Sequence, residues 1–375
     1  MRTVAVFFGG NSCENEISIL TGILALNLLD RDNYTPFPVY IHTDGGMYTS
    51  PKMTKVEAFK EGTVVGFQRV LLDGGVVYAL NKGKQKIKRI CNVDVALNCC
   101  HGGLGEGGGV SALMEWNDIP LASPDLTSSG VFMDKATTKL FVQALGIPTL
   151  DYIRVNESDY QKRGAFLLKN IEARLKYPVV IKPSHLGSSI GICLANNEKE
   201  AKLGIEKAFE LDDRLIIEKY LNNKTDVNCA ACMLNGEICV SEVETAFGDG
   251  IYSFEEKYVK RRSDTPLYNA KAGGRCALNG ELRDKIRSYT RTIYKRMNMQ
   301  GVVRMDFLVS ENKAYLCEVN TVPGSLAYYL FCERLTDARR LLNDVLEQAV
   351  EMYKIKKKTV LPLHILQSVQ GVKRK

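Results

Sequence analysis

The stretch GVVRMDFLVSENKAYLCEVNTVPG (301–324) gathers two carboxylates, an amide and an arginine into one short segment. Two alternating apolar–polar runs flank Ser310-Glu311-Asn312-Lys313, the composition of a β-hairpin and its turn. If the turn centres on Asn312, Asp306 faces Glu318 and Arg304 faces Asn320, and period-two alternation brings all four to one face. A purely structural hairpin would put apolar residues on a buried face, or scattered charges on a wet one. Like charges set directly across a ladder destabilise it unless a cation lies between them. Oxygens from Asp306, Glu318 and Asn320 make a hard donor set for Mg²⁺, with Mn²⁺ as an alternative ion, and Arg304 beside them suits phosphate.

A second constellation is built on lysine. Lys182 ends the apolar run of YPVVIKPS (177–184) and precedes a loop with Gly187, Ser188 and Ser189. Backbone N–H groups and hydroxyls in such a loop can wrap phosphate oxygens while the lysine supplies a point charge. Alone this is a weak signal, because a lysine before a Gly/Ser turn is usually solvated. No G-x-x-x-x-G-K-[ST] occurs, and GGLGEGGG (102–109) has the wrong spacing for a dinucleotide fingerprint, so neither a P-loop enzyme nor an NAD enzyme is supported.

These residues need elements to position them. TVAVFFGG (3–10) reads as a buried strand ending in a glycine turn, followed by a helix with Ile17, Leu20, Leu24 and Leu28 on one face. YTPFPVYI (34–41) and VDVALNCC (93–100) read as further buried strands. Together they predict a parallel, Rossmann-like first layer through about residue 122, with ligand-facing loops at Gly9-Gly10 and His101-Gly102-Gly103. Beyond it, a helix is predicted over 133–145, strands at 177–184 and 187–195, an antiparallel sheet from 215 onward, and an amphipathic helix near 336–353.

At 375 residues the chain has room for two or three domains of roughly 150 residues each. Its 45% hydrophobic and 25% charged residues argue against disorder. No apolar run reaches the roughly 18 residues of a membrane span. The start, MRTVAVFFGGNSCENE, turns to glycine and acid too early for a signal peptide. Eleven cysteines without metal-like spacing suit a reducing, cytoplasmic setting, with Cys99, Cys100, Cys229 and Cys232 as small buried residues. The net charge of +7 equals the seven lysines and arginines that follow Glu351, so it belongs to a solvated tail and not to a nucleic-acid-binding face.

Seven segments in order resemble the D-alanine–D-alanine ligase family of the ATP-grasp superfamily: FGGNSCENEIS (8–18), HGGLGEGGG (101–109), MDKATTK (133–139), YPVVIKPSHLGSSIGI (177–192), LIIEKYL (215–221), FEEKYV (254–259) and RMDFLVSENKAYLCEVNTVPG (304–324). The resemblance implies an α/β and α+β chain with the ATP-grasp fold. It divides into a Rossmann-like pre-ATP-grasp domain over 1–122, a central subdomain with the glycine-serine loop over 123–214, a C-terminal subdomain with the metal site over 215–353, and a basic tail over 354–375.

The resemblance also implies roles. Lys135, Lys182 and Ser189 hold nucleotide phosphates, Glu218 through Leu221 pass adenine with backbone groups of Lys219 and Leu221, and Asp226 takes the ribose. Lys257 neutralises the transferred phosphate, while Asp306, Glu318 and Asn320 hold Mg²⁺. Glu14 pairs with the ammonium of the first amino acid near His101, and Ser188 and Tyr258 join Glu14 as a latch over the site. Arg304 and the Gly324 N–H stabilise the oxyanion of a tetrahedral intermediate. The implied partners are ATP and D-alanine in a cytoplasmic homodimer, without nucleic acid or membrane.

Two departures stand out. Leu186 occupies a loop position where many relatives carry charge, and SLAYYLF follows Pro323-Gly324 where relatives place a hydroxyl residue and a leucine, which puts Tyr329 and Leu330 at the second substrate. A ligase using D-serine, D-lactate or another amine, or a non-catalytic nucleotide-binding protein, are the alternatives that follow.

Overall fold

The apolar segment Arg2–Gly9 forms strand β1, whose inner residues from Val4 to Phe8 are at most 1% exposed. A computed structural model describes residues 1–81, 86–245 and 278–363 of the chain. β2 (Tyr34–Ile41) pairs parallel to β1 on one side. Four further strands, β3 (Met47–Thr49), β4 (Gln68–Asp73), β5 (Val76–Asn81) and β6 (Lys86–Asn92), extend the sheet beyond β2. β7 (Val95–Asn98) pairs parallel to β1 on the other side. The parallel layer expected from the sequence therefore covers β2, β1 and β7 alone, because β3 to β6 form an antiparallel meander. The turn residues Asp73-Gly74-Gly75 join β4 to β5 directly, leaving no length for a crossover helix.

The second sheet is antiparallel and has the order β10-β9-β11-β8, from β8 (Tyr152–Asn156), β9 (Val179–Pro183), β10 (Cys193–Ala195) and β11 (Arg214–Lys219). Two boundaries differ from the sequence reading. β11 bonds to β8 and β9, so the sheet it belongs to ends after Lys219 and not at residue 214. The strand expected over 187–195 is only three residues long, since Ser188 and Ser189 take positive φ and turn the chain ahead of it. Val179, Ile181, Leu215 and Ile217 fill the core on one face. Alternation then turns Lys182 and Glu218 to the other face.

The third sheet, order β13-β12-β15-β16 with β14 also on β12, contains β12 (Thr225–Leu234), β13 (Glu237–Val240), β14 (Glu244–Thr245), β15 (Val303–Ser310) and β16 (Lys313–Asn320). Met305, Phe307, Val309, Ala314, Leu316 and Val319 pack beneath it against the helix Gly280–Arg296. The thiols of Cys99, Cys100, Cys229 and Cys232 are buried within apolar clusters, as their sequence context implied.

The helix Leu335–Lys356 folds back onto the first layer, packing Leu342, Val345 and Leu346 against a cluster that includes Leu24, Leu28 and Leu97. It also absorbs Lys354 and Lys356, which the sequence placed in the tail. Lys356 reaches Asp125 at 3.6 Å, and Lys357 and Tyr353 both bond to Asp118. The basic tail thus begins after Lys357. Exposed ion pairs of this kind contribute little, whereas Leu346, fully buried, anchors the helix. A chain stopped after Lys358 should keep its turnover and midpoint of urea unfolding, while Leu346→Ala should lower unfolding free energy by about 2–4 kcal/mol. Equal unfolding curves for Leu346→Ala and wild type would contradict this account of the helix.

Candidate active site

The 304–320 hairpin realises the pairing read from the sequence by an unexpected route. Asp306 pairs with Glu318 and Arg304 with Asn320. The turn, however, joins Ser310 to Lys313 through Glu311 and Asn312, a register that would set Asp306 against Cys317. A bulge between Asp306 and Phe307 corrects it by inserting one residue on β16. It also reverses the alternation: Ala314 and Leu316 face the core before the bulge and Val319 faces it after, so Glu318 and Asn320 turn towards the site. Without the bulge both would point into the apolar cluster.

Arg304 grips Asp306 with two hydrogen bonds, Nε to Oδ1 at 2.7 Å and Nη2 to Oδ2 at 2.8 Å. The Asn320 amide donates to the same Oδ2 at 3.0 Å. Part of the cation that two facing carboxylates require is therefore Arg304 itself. Two carboxylates and an amide on one face still offer an all-oxygen set of the kind that suits Mg²⁺, once the Asn320 amide, whose Nδ2 now faces Asp306, rotates to present its Oδ1. Asn228, across from Asp306 on β12, and Asp226, ion-paired with Lys224, extend the same face.

Opposite lies the sheet face carrying Lys182 and Glu218. Lys182 Nζ lies 2.6 Å from Glu218 Oε2 and 3.7 Å from Cys317 Sγ, which joins the two sheets. The second oxygen of Glu218 meets Lys139 Nζ at 2.7 Å, and that lysine is 1% exposed with its ammonium near the Tyr152 ring. Burial alone would raise the Glu218 pKa, but the paired lysines overcome it and pull the group down to about 2. The Glu218 side chain is thus turned inward, where it neutralises two lysines. The Lys219 N–H is taken by the Asp151 carbonyl at 3.0 Å, so any contribution of Lys219 to adenine must come from its carbonyl, with Leu221 following in the chain. Lys139 was not singled out in the sequence, although a lysine between Ala136 and Val142 on the buried side of a helix is a visible anomaly.

The glycine-serine loop and the first layer meet at Glu14. Ser188 Oγ donates to Glu14 Oε1. A Cβ on Gly187 would lie 2.6 Å from Glu14 Oε2, and one on Gly102, whose φ is +66°, would lie 2.8 Å from it. The missing side chains let the two loops close on this carboxylate without displacing its tip, and at Gly102 the positive φ also favours glycine. Lys135 Nζ donates to the Leu186 carbonyl and so braces the same loop. Ser189 follows Ser188 there, also with positive φ. Lys257 and Tyr258 lie outside the described residues.

His101 is packed beneath the Gly324 turn. It is 5% exposed, its Nε2 lies 2.8 Å from Thr21 Oγ1, and its ring also interacts with the Val322 backbone. Burial, reinforced by Arg304, lowers its pKa to about 4, so it is neutral at pH 7. Thr21 Oγ1 in turn accepts the Ser325 N–H at 3.2 Å. Glu106 Oε1 accepts the Val322 N–H at 3.3 Å and its other oxygen accepts the Gly102 N–H at 2.8 Å. Burial raises Glu106 to about 7, with Glu14 and Glu318 close enough to add to the rise. His101 and Glu106, with Thr21, therefore hold the turn that carries Gly324. After Gly324 the chain makes three left-handed residues, Ser325, Leu326 and Ala327, at about 1–2 kcal/mol each, which such bonds must offset. Tyr329 brings its hydroxyl 3.5 Å from Arg304 Nη1, and Leu330 is buried against Ala230 and Ala327.

Family models described as D-ala D-ala ligase N-terminus and C-terminus match residues 3–124 and 141–351. The D-alanine–D-alanine ligase of Thermosipho africanus is 31% identical over 368 residues, covering 96% of each chain. Among solved structures, the D-alanine–D-alanine ligase of Helicobacter pylori is similar with a TM-score of 0.74 and 26% identity, over 93% of this chain and 98% of that one. A D-Ala:D-Ser ligase from Enterococcus faecalis is similar with a TM-score of 0.73 and 25% identity, over 94% of this chain and 99% of that one. No helix among the described residues is long and apolar enough to cross a membrane.

The Glu218 pairing predicts an acid limb. A carboxyl lowered from 4.5 to about 2 contributes stability that is present above pH 4.5 and lost as pH falls towards 2. Glu218→Gln should lower unfolding free energy at pH 7 by about 3 kcal/mol and flatten its slope across that window. An unchanged slope by urea titration at several pH values would remove Glu218 from this role.

Proposed function

Because the chain belongs to the D-alanine–D-alanine ligase family, whose members are ATP-dependent ligases, we propose that it joins two D-alanines into D-alanyl-D-alanine. The product would supply peptidoglycan precursor synthesis in the cytoplasm, and a homodimer is the form this reading carries with it. The observation that supports it most is the convergence of Glu14, held between two glycine loops, with the Arg304–Asp306–Glu318–Asn320 face and the clamped Gly324 turn.

In this reading the carboxylate of the first D-alanine attacks the γ-phosphorus of ATP, giving an acyl phosphate and ADP. The amine of the second then attacks the acyl carbon, and phosphate leaves from the tetrahedral intermediate. Positioning and charge carry most of phosphoryl transfer. Lys182, kept charged by Glu218, and Lys135 at the glycine-serine loop supply positive charge for the phosphates. Asp226 is the candidate for the ribose. Asp306, Glu318 and Asn320 would hold Mg²⁺, or Mn²⁺, which when bound neutralises charge on the transferring phosphate. Glu14 offers its carboxylate to the ammonium of the first D-alanine. Arg304 and the Gly324 N–H face the oxyanion, and a donor of this kind is typically worth about 3–4 kcal/mol. Ser188 bonded to Glu14 closes the loop over the acyl phosphate and excludes water, with Tyr258 as the further member of the latch.

One observation favours a second reading. By resemblance, a tyrosine, larger than a serine, takes the sequence position of the residue for the second carboxylate, and one similar structure is a D-Ala:D-Ser ligase. Incubation with ATP, Mg²⁺ and a mixture of D-alanine, D-serine and D-lactate, followed by mass identification, separates the two. D-alanyl-D-alanine as the main product is expected, and a mixed product would replace it with the second reading. In the same assay Tyr329→Phe should raise the second-site KM roughly tenfold, since a hydrogen bond to a charge contributes about 1.5–3 kcal/mol, and leave first-site and ATP constants nearly unchanged. An unaltered second-site KM would dismiss Tyr329 as the carboxylate donor.

A further inference from the structure

The glycine-serine loop has a second anchor that the reaction itself does not use. His185, immediately before Leu186, sits between two aspartates from different elements. Its Nδ1 lies 2.9 Å from Asp212 Oδ1, and its Nε2 lies 3.4 Å from Asp134 Oδ2. Its backbone N–H donates to Asp212 Oδ2 at 2.7 Å. Asp134 is itself fixed as the cap of the helix Lys135–Ala144, accepting the Thr137 N–H at 2.8 Å. Asp212, two residues before the start of β11, is held by the Arg214 N–H at 3.2 Å. The Ser184 carbonyl accepts the Lys135 N–H at 3.1 Å, and the Ser184 N–H donates to the Arg214 carbonyl at 2.9 Å. The base of the loop is therefore tied to both the helix and the sheet, and its tip, from Leu186 to Ser189, extends to Glu14.

We propose that His185 is a positioning residue of the ligase, an imidazolium rivet between Asp134 and Asp212 that holds the glycine-serine loop in its closed, nucleotide-ready arrangement. The proposal rests on the ligase reading for its kinetic consequence, but not for its structural one. The charged groups around the ring are Asp134 from the helix cap, Asp212 and the exposed Asp213 from the turn before β11, and Arg214, whose Nη1 lies 3.5 Å from Asp134. The negative charges exceed the positive one nearby, so the neighbours favour the protonated ring. Hydrogen bonds to Asp134 and then Asp212 raise the His185 pKa from 6.5 to about 9. The sign follows from linkage. A group raised on closing contributes in full below pH 6.5, and its contribution fades as pH rises towards 9. His185 is exposed enough to exchange protons, with 31% of its side chain accessible.

The rivet is tested by hydrogen exchange of residues 184–190 in the nucleotide-free full chain, corrected for intrinsic rates, at pH 6.5, 7.5 and 9.5. The wild type should lose protection by on the order of tenfold between the lower and the highest pH. His185→Arg, charged throughout, should keep its protection across the range, and His185→Gln should be weakly protected and flat. Thermal melts identify any variant that fails to fold, and the wild-type pH series with His185→Arg then carries the test. Protection in the wild type that does not change with pH, or equal protection in wild type and folded His185→Gln, would overturn the proposal. Steady-state kinetics form the second readout: His185→Gln should raise the KM for ATP several-fold with a smaller change in kcat, and His185→Arg should restore it. Altered loop protection without any ligation by the wild type would sink the ligase reading and leave the rivet standing.

Discussion

Buried charge must be compensated, and that constraint shapes this molecule more than any single apolar contact. Glu218 carries the heaviest load. It lies 2% exposed between Lys139 and Lys182, at the meeting of a helix and the second sheet. A carboxylate so buried would be protonated or excluded without cations against it. With two lysines on one carboxylate the cluster keeps a net positive charge, facing Cys317 and the third sheet across the cleft. In the proposed function an anion with several charges, such as a nucleotide phosphate, would complete it.

The same rule organises the rest of the site. Asp306 is gripped by Arg304, and the facing Glu318 lies across the ladder from it. Glu14 is enclosed by glycines and met by Ser188. His101, made neutral by burial, can serve as a hydrogen-bonding strut beside Thr21 without adding charge near Arg304. Through His101, Thr21 and Glu106 the first layer reaches into the C-terminal part and holds a strained left-handed turn at Gly324. Parts of the chain far apart in sequence thus share one electrostatic assignment.

Much of this was legible in the residues. Alternation around Ser310-Glu311-Asn312-Lys313 gave the cross-strand pair Asp306 and Glu318, and glycines beside Ser188 and His101 marked the loops that close on Glu14. What stayed hidden has physical reasons. A bulge at Cys317 leaves no compositional mark, yet it decides which face Glu318 and Asn320 occupy. The meander of β3 to β6 was missed because short strands with mixed burial lack a clear period. His101 looked free to meet a ligand because glycines surround it, and sequence cannot show that Thr21 and Val322 fill its ring positions. Lys139 and His185 act through partners such as Glu218, Asp134 and Asp212, and long-range pairing of that kind has no local signature.

The central claim is that the cleft between the second and third sheets is completed by a cation at the Asp306–Glu318 pair. Crystals of the full chain grown with a non-hydrolysable ATP analogue and Mn²⁺ test it most directly through anomalous scattering. The account predicts a peak in direct coordination with Asp306, Glu318 and Asn320, between these residues and the nucleotide phosphates. A peak instead at the His185–Asp212–Asp213 cluster, or nucleotide bound with no ion at the hairpin, would contradict it.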